Sequence, residues 1–347
     1  MLTLGIETSC DETSAALTEG RRVLSNVVSS SVHLHKKYGG VVPEIASRYH
    51  VEYINHVLLQ ALKEAGRKLS DIRLVAVTQG PGLVGSLLIG IQEAKAVSFA
   101  LDVPIIGVNH ILAHLYSAFL DTTKTGLRFP FIGLVVSGGH TSIYLCRGVD
   151  RYRLLGQTQD DAVGEAYDKV AKILSLGYPG GPIVEKRSRL SKRREVFFPK
   201  VYLEKGSLDF SFSGVKTAVL YFAEKQGIVR SQAKQKPFRK GGAGQAVVND
   251  IAFAFQESVL DVIVDKTILA CEKHSYNRIV VGGGVSANRA LREKFYEAAA
   301  GKGIQVYFPP PGYCTDNAAM VAALGEALYK KGFRSNLYLT PEPNLSI

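Results

Sequence analysis

No CxxC pair, no apolar run of the roughly 18–20 residues that span a membrane and no GxGxxG turn opening a βαβ unit near the N-terminus are read in this chain. Each absence excludes a class. The four cysteines, Cys10, Cys146, Cys271 and Cys314, lie far apart, which predicts reduced thiols in a cytoplasmic protein. Without a membrane-length run, no membrane association is expected. The first ten residues, MLTLGIETSC, lack a basic region followed by an apolar core and a cleavage site, so no signal peptide is expected there. The missing dinucleotide fingerprint argues against a Rossmann domain.

What is present is the material of a soluble globular protein: 347 residues, 46% hydrophobic and 21% charged. That length suits two domains with a substantial core. The 34 glycines cluster in QGPGLVGS, VSGGHTS, YPGGP and VGGGVSAN, as turns shaped around a ligand would. The net charge of +11 is concentrated. Residues 186–200 hold seven Lys/Arg against one Glu, and residues 225–240 hold six Lys/Arg and no acid. Such segments suit a polyanion such as nucleic acid, or they are solvated basic loops.

Strand and helix signals alternate, which favours α/β architecture. LTLGIET and SAALTEG read as paired strands around the turn SCDE. A long amphipathic helix is predicted over 43–66, with Pro43 in its first turn and Gly66 at its end. IRLVAVTQG is a buried strand, VGSLLIGIQEAKAVSFAL a helix and PIIGVNH a short strand. Near residue 126 the pattern restarts, because FIGLVVSGGHTSIYLCRG repeats the strand–turn–strand layout of the N-terminus. Duplication with a ligand cleft between the halves is the expectation. Later, RIVVGGGVSANRALREKF supplies strand, glycine turn and helix, a cradle for adenosine or phosphate.

NHILAH sets His110 and His114 one helical turn apart, on one face. Such a pair can share a metal, and an ordinary helix can carry it too. The zinc-protease pattern HExxH needs a glutamate after the first histidine, and here that position is Ile111.

Nine segments together are very specific: GIETSCDETSAAL, KYGGVVPEIASR, GPGLVGSLLIG, NHILAH, VSGGHTS, DDAVGEAYDKVAKILSLGYPGGP, FSFSGVKTAVL, VGGGVSANRALR and CTDNAAMVA. On these the chain resembles the TsaD family of bacterial tRNA N6-adenosine threonylcarbamoyltransferases, formerly labelled O-sialoglycoprotein endopeptidases. The family belongs to the actin/Hsp70/sugar-kinase superfamily. The resemblance implies an α/β fold of two actin-like (ASKHA, ribonuclease H-like) lobes with a ligand cleft between them. The expected division is an N-terminal lobe at 1–125, a C-terminal lobe at 126–325, and a segment 326–347 returning to the first lobe.

Asp316 in CTDNAAM matches the family's third metal ligand beside His110 and His114. Two imidazoles and a carboxylate leave coordination positions open, and they suit one divalent ion, Fe²⁺ or Zn²⁺. Asp316 could instead cap the helix that follows it. The resemblance further places Val135, Val136, Ser137, Gly138 and Gly139 at the substrate, with the glycines letting backbone amides approach. It implies nucleoside contacts for Asp168, Gly181, Glu185 and Asn288, with Lys169 near the cleft. In ETSCDET, the superfamily's first hairpin faces nucleotide phosphates. Asp11 and Glu12 are therefore the candidates for a mechanistic role, with Glu7 in the same turn and Lys95 as a neighbour. His140 is expected to be structural, and His33, His35, His50 and His56 have no metal role.

The implied activity moves threonylcarbamoyl from L-threonylcarbamoyladenylate to N6 of adenosine 37 in tRNAs reading codons that begin with A, releasing AMP. The cleft would take ATP, ADP or threonylcarbamoyladenylate. Implied partners are tRNA, a TsaB-like paralogue on the N-terminal lobe, a TsaE-like ATPase and a TsaC-type synthase. Carbamoyl transfer to a non-tRNA acceptor and metallopeptidase activity are the alternatives, the latter weakened by Ile111.

Overall fold

Strand β1 (Leu2–Glu7) pairs antiparallel with β2 (Glu12–Glu19), and β2 pairs antiparallel with β3 (Arg22–Ser30). On the other side of β1, β4 (Leu74–Gly80) and β5 (Ile105–Asn109) add in parallel, giving the order β3-β2-β1-β4-β5. The second sheet repeats this plan. Its β6 (Phe131–Val136), β7 (Thr141–Gly148) and β8 (Arg151–Gln157) are antiparallel, while β9 (Arg278–Gly282) and β10 (Gln305–Tyr307) are parallel to β6. The hairpin repeat read in the sequence is thus the start of two sheets of one topology. The chain folds as two actin-like, ribonuclease H-like α/β lobes. This computed structural model describes residues 1–121, 126–228 and 242–347.

In the first lobe, helices α1 (Val32–His35), α2 (Pro43–Ala65), α3 (Val84–Leu101) and α4 (His110–Tyr116) link or follow the strands. Pro43 opens α2, and Gly66 closes it in the left-handed region at φ 61°, a conformation glycine adopts without a Cβ clash. In the second lobe, α5 (Val163–Ile173), α6 (Gly180–Ser188), α7 (Ser213–Lys225), α8 (Gly242–His274) and α9 (Arg289–Ala299) surround the sheet. Strands β3 and β8 were not expected. β3 is mostly half-buried and β8 mostly exposed, so the alternation that marks a half-buried strand is weak in both.

One expectation needs correction. By length and composition α3 is apolar enough to cross a membrane. It carries Glu93 and Lys95, and its Ile91, Ala94 and Val97 pack into the first lobe's core with Ile6, Val77 and Leu58. The same apolar content therefore serves as a core-facing helix stripe.

Helix α10 (Ala318–Lys330) decides how the lobes join. It is buried continuously from Ala318 to Glu326 and lies in a core that takes Ala76 and Ile106 from the first sheet and Phe131 and Val135 from the second. At Gly5 an added Cβ would sit 2.2 Å from the Ala318 carbonyl oxygen, so the helix backbone lies directly on β1. The return to the first sheet begins at α10, and the division expected between 325 and 326 falls inside this helix. Beyond it, the Glu342 amide donates to the Gln79 carbonyl at 2.9 Å and the Gly82 amide to that of Pro343 at 3.1 Å.

Candidate metal centre and cleft

Strand β5 ends at Asn109, whose side-chain oxygen accepts from the amides of Ile111 and Leu112 at 2.9 and 3.2 Å. This cap starts α4 at His110 and leaves His114 one turn along on the same face. The two rings meet edge to face, with centroids 4.6 Å apart. Asp316 arrives from the segment before α10. The helix cap there is Asn317, whose side chain accepts from the Met320 amide at 3.1 Å. The capping role considered for Asp316 therefore belongs to its neighbour, and the Asp316 carboxylate faces the histidines. Its Oδ1 lies 3.0 Å from His114 Nε2 and 3.7 Å from His110 Nε2.

The three donor atoms lie within 4.8 Å of one another, as the ligands of one ion do. Among the described residues, neither ring nitrogen of buried His114 finds a partner in hydrogen-bond geometry, despite the 3.0 Å approach to Asp316. Two imidazoles and a carboxylate gathered this closely fit a single divalent metal. The charges agree. Burial alone would lower the pKa of His110, yet Glu7 and Asp316 outweigh it and push it up to about 9. Burial would raise that of Asp316, but His110 and His114 hold the carboxyl well below its usual range.

A cleft of about 760 Å³ opens from this cluster between the lobes, a volume suited to a nucleotide-sized ligand. His110 and Asp316 line it together with Asp11 and Glu12 of the first hairpin turn. Ser137, Gly138 and Gly139 face it from the β6–β7 turn, and Asp168, Gly181, Glu185 and Asn288 line it as well. The turn is held within itself and to α5: the Ser137 amide donates to the His140 carbonyl at 2.8 Å, and the Gly164 amide to that of Ser137 at 3.1 Å. Gly283, at φ 92°, packs so closely that a Cβ would lie 2.4 Å from the Val136 carbonyl oxygen.

Several expected residues stand elsewhere or are already engaged. Val135 and Val136 do not line the cleft; both are wholly buried and point to opposite faces of β6, into different cores. Lys95 is half-buried on α3 and lines no part of the cleft. Asn288 lines it, but its oxygen caps α9 by accepting from the Leu291 amide at 3.1 Å, and its nitrogen donates to Gln256 Oε1 at 3.0 Å. Glu185 accepts from the Arg289 amide at 3.0 Å and pairs with Arg189. Lys169 is drawn to Asp161 and Glu165, at 2.5 and 2.8 Å. Asp168 accepts from the Gly180 amide at 2.6 Å, and burial pushes its pKa up to about 6. Burial, then Asp316 and Asp11, raise the Glu12 carboxyl well above its ordinary value. His140 lines the cleft as a neutral imidazole, lowered to about 4 by burial and by the two metal-site histidines.

One wall was not anticipated as part of the site. Gly39, Gly40 and Val41 line the cleft from the stretch between α1 and α2. Buried His35 holds that stretch, accepting from the Val42 amide at Nδ1 (3.2 Å) with Nε2 3.0 Å from Ser31 Oγ. The glycine pair in KYGG was its only local signal. His50 similarly bridges Thr13 Oγ1 and the Cys10 carbonyl, at 2.8 and 3.0 Å, so both histidines brace the first lobe.

The profile of TsaD, described as tRNA N6-adenosine threonylcarbamoyltransferase, matches residues 22–323. The chain belongs to the TsaD family. A tRNA N6-adenosine threonylcarbamoyltransferase of Dictyoglomus turgidum is 49% identical over 347 residues, covering 99% of this chain and 98% of its own. One from Thermodesulfovibrio yellowstonii is 47% identical over the full length of both. Among solved structures, HypF of T. kodakarensis superposes with a TM-score of 0.60 at 13% identity, covering 99% of this TsaD-family chain and 48% of its own. At that identity the likeness is one of fold.

Proposed function

We infer that this chain transfers a threonylcarbamoyl group from L-threonylcarbamoyladenylate to N6 of adenosine 37 in tRNA, releasing AMP. The observation that carries the reading is the meeting of His110, His114 and Asp316 at the edge of a nucleotide-sized cleft in a TsaD-family chain. An exocyclic adenine amine is a weak nucleophile, so the work lies in orienting the carbamoyl carbon and moving one proton. A divalent ion held by the two histidines and Asp316, Fe²⁺ or Zn²⁺, would supply Lewis acidity toward the threonylcarbamoyl group.

The chain's own groups do the rest. The Gly138 and Gly139 amides, on a turn held through Ser137, suit phosphate and carbonyl oxygens of the adenylate. The second oxygen of Asp168, beyond the one bonded to Gly180, suits a ribose hydroxyl. Glu12, on the cleft wall, is the group proposed to accept the N6 proton as the new C–N bond forms and the C–O bond to AMP breaks. Asp11 stands beside it. For tRNA, the exposed Lys186, Lys192 and Arg193 of the first basic segment are the proposed backbone contacts, while Arg189 and Lys200 are paired with Glu185 and Asp261. Of the second basic segment, residues 229–240 lie outside the described residues. ATP or ADP in the cleft, a TsaB-like paralogue, a TsaE-like ATPase, a TsaC-type synthase and a cytoplasmic location complete the proposal.

Mass spectrometry of tRNA nucleosides from a depletion strain tests the reading. Threonylcarbamoyladenosine should disappear on depletion and return with the wild-type chain but not with Asp316→Ala. Its persistence after depletion would sink the assignment.

A further inference from the structure

Behind the histidine pair lies an acid that the transfer chemistry does not use. Glu7 closes β1 in the turn expected to face phosphates, yet it is 0% exposed and no part of the cleft wall. Three donors surround its carboxylate. The Ser9 amide donates to Oε1 at 2.6 Å, Thr78 Oγ1 donates to Oε2 at 2.5 Å, and His110 Nδ1 lies 3.0 Å from Oε2. Ser9 Oγ lies 3.2 Å from the same Nδ1. An ionised carboxylate only accepts, so Nδ1 carries the proton. Nε2, on the side of Asp316 and His114, is then the nitrogen left to bind a metal.

We propose that Glu7 is a positioning residue for the metal centre: its bond to Nδ1 fixes the ring orientation and proton placement of His110, presenting Nε2 as a ligand. The inference rests on the metal reading above and extends it to a residue 103 positions away in sequence. Carboxylates behind metal-bound histidines orient the ring and raise its basicity, and losing one typically weakens metal binding about 10–100-fold.

The Glu7→Gln change discriminates because neither amide orientation reproduces the carboxylate. With its oxygen toward the Ser9 amide, the glutamine NH₂ donates to Nδ1 and moves the imidazole proton to Nε2. With its oxygen toward His110, the NH₂ opposes the Ser9 N–H. Thr78→Val keeps the carboxylate but removes one of its anchors, and it serves should Glu7→Gln fail to fold.

The experiment is Zn²⁺ titration of the full chain against a competing chelator, with ¹⁵N–¹H correlation of the His110 ring in the Zn²⁺-loaded wild type. Glu7→Gln should weaken Zn²⁺ binding about 10–100-fold, Thr78→Val should weaken it by a smaller factor, and the wild-type ring should bind through Nε2 with its proton on Nδ1. Unchanged Zn²⁺ affinity in the folded variants, or coordination through Nδ1, overturns the role of Glu7 alone. A wild-type chain that binds no Zn²⁺ overturns this inference and the metal reading together.

Discussion

Asp168 shows how burial sets the working range of one residue. Its carboxyl titrates near about 6 rather than at the ordinary 3.8, because burial disfavours the charge more than the Gly180 amide favours it. A raised folded-state pKa means that ionisation costs stability above about pH 6, and that this cost vanishes below the unfolded value. Ligand binding runs the other way, since the ionised form is the better acceptor for ribose. Calorimetry should therefore find ADP affinity rising from pH 5 to 7.5 in the wild type, and both weak and pH-independent in Asp168→Asn. Equal pH profiles for the two proteins would remove Asp168 from the nucleoside contacts. At this scale the sequence named the residue types well and their geometry poorly. Asn288 was expected to contact the nucleoside, but its side-chain oxygen caps the start of the helix next to it.

Among the elements, α10 has the widest consequence, because the same buried helix packs on the first sheet and places Asp316 beside α4. Leu324, wholly buried in the core shared by both lobes, is a direct probe. Leu324→Ala should lower unfolding stability by about 2–5 kcal/mol. Zn²⁺ affinity should fall with it if the two sheets share one core in solution, as denaturant melts and metal titration on the same samples would establish. A loss below 1 kcal/mol, as at a surface site, would argue against that shared core. Local signals located α3 to the residue and α2 to within one, since Pro43, Gly66 and sustained apolar periodicity act within a few positions. They did not reveal β3 or β8, whose pairing partners rather than their own pattern make them strands.

For the whole molecule, the distribution of charge is the testable quantity. The excess of basic residues lies in two segments, whose described part exposes Lys186, Lys192, Arg193, Arg194 and Lys225 among others. Double reversal, Lys192→Glu with Arg193→Glu, should weaken tRNA binding and reduce the steepness of its salt dependence, read as the slope of log K against log salt. ADP binding in the cleft should be unaffected. An unchanged slope would place the tRNA contact elsewhere.

The sequence by itself determined the repeated strand–turn–strand units, the ends of α2, the helical spacing of His110 and His114, and the family. These follow from local periodicity, caps and motif order. Only the tertiary structure decided that Asn317 caps α10 while Asp316 faces the histidines. It alone turned Val135 and Val136 into two different cores and set Glu7 behind His110 instead of at a phosphate. Each of those outcomes depends on which distant surface packs against a residue, and no window of neighbouring sequence carries that information.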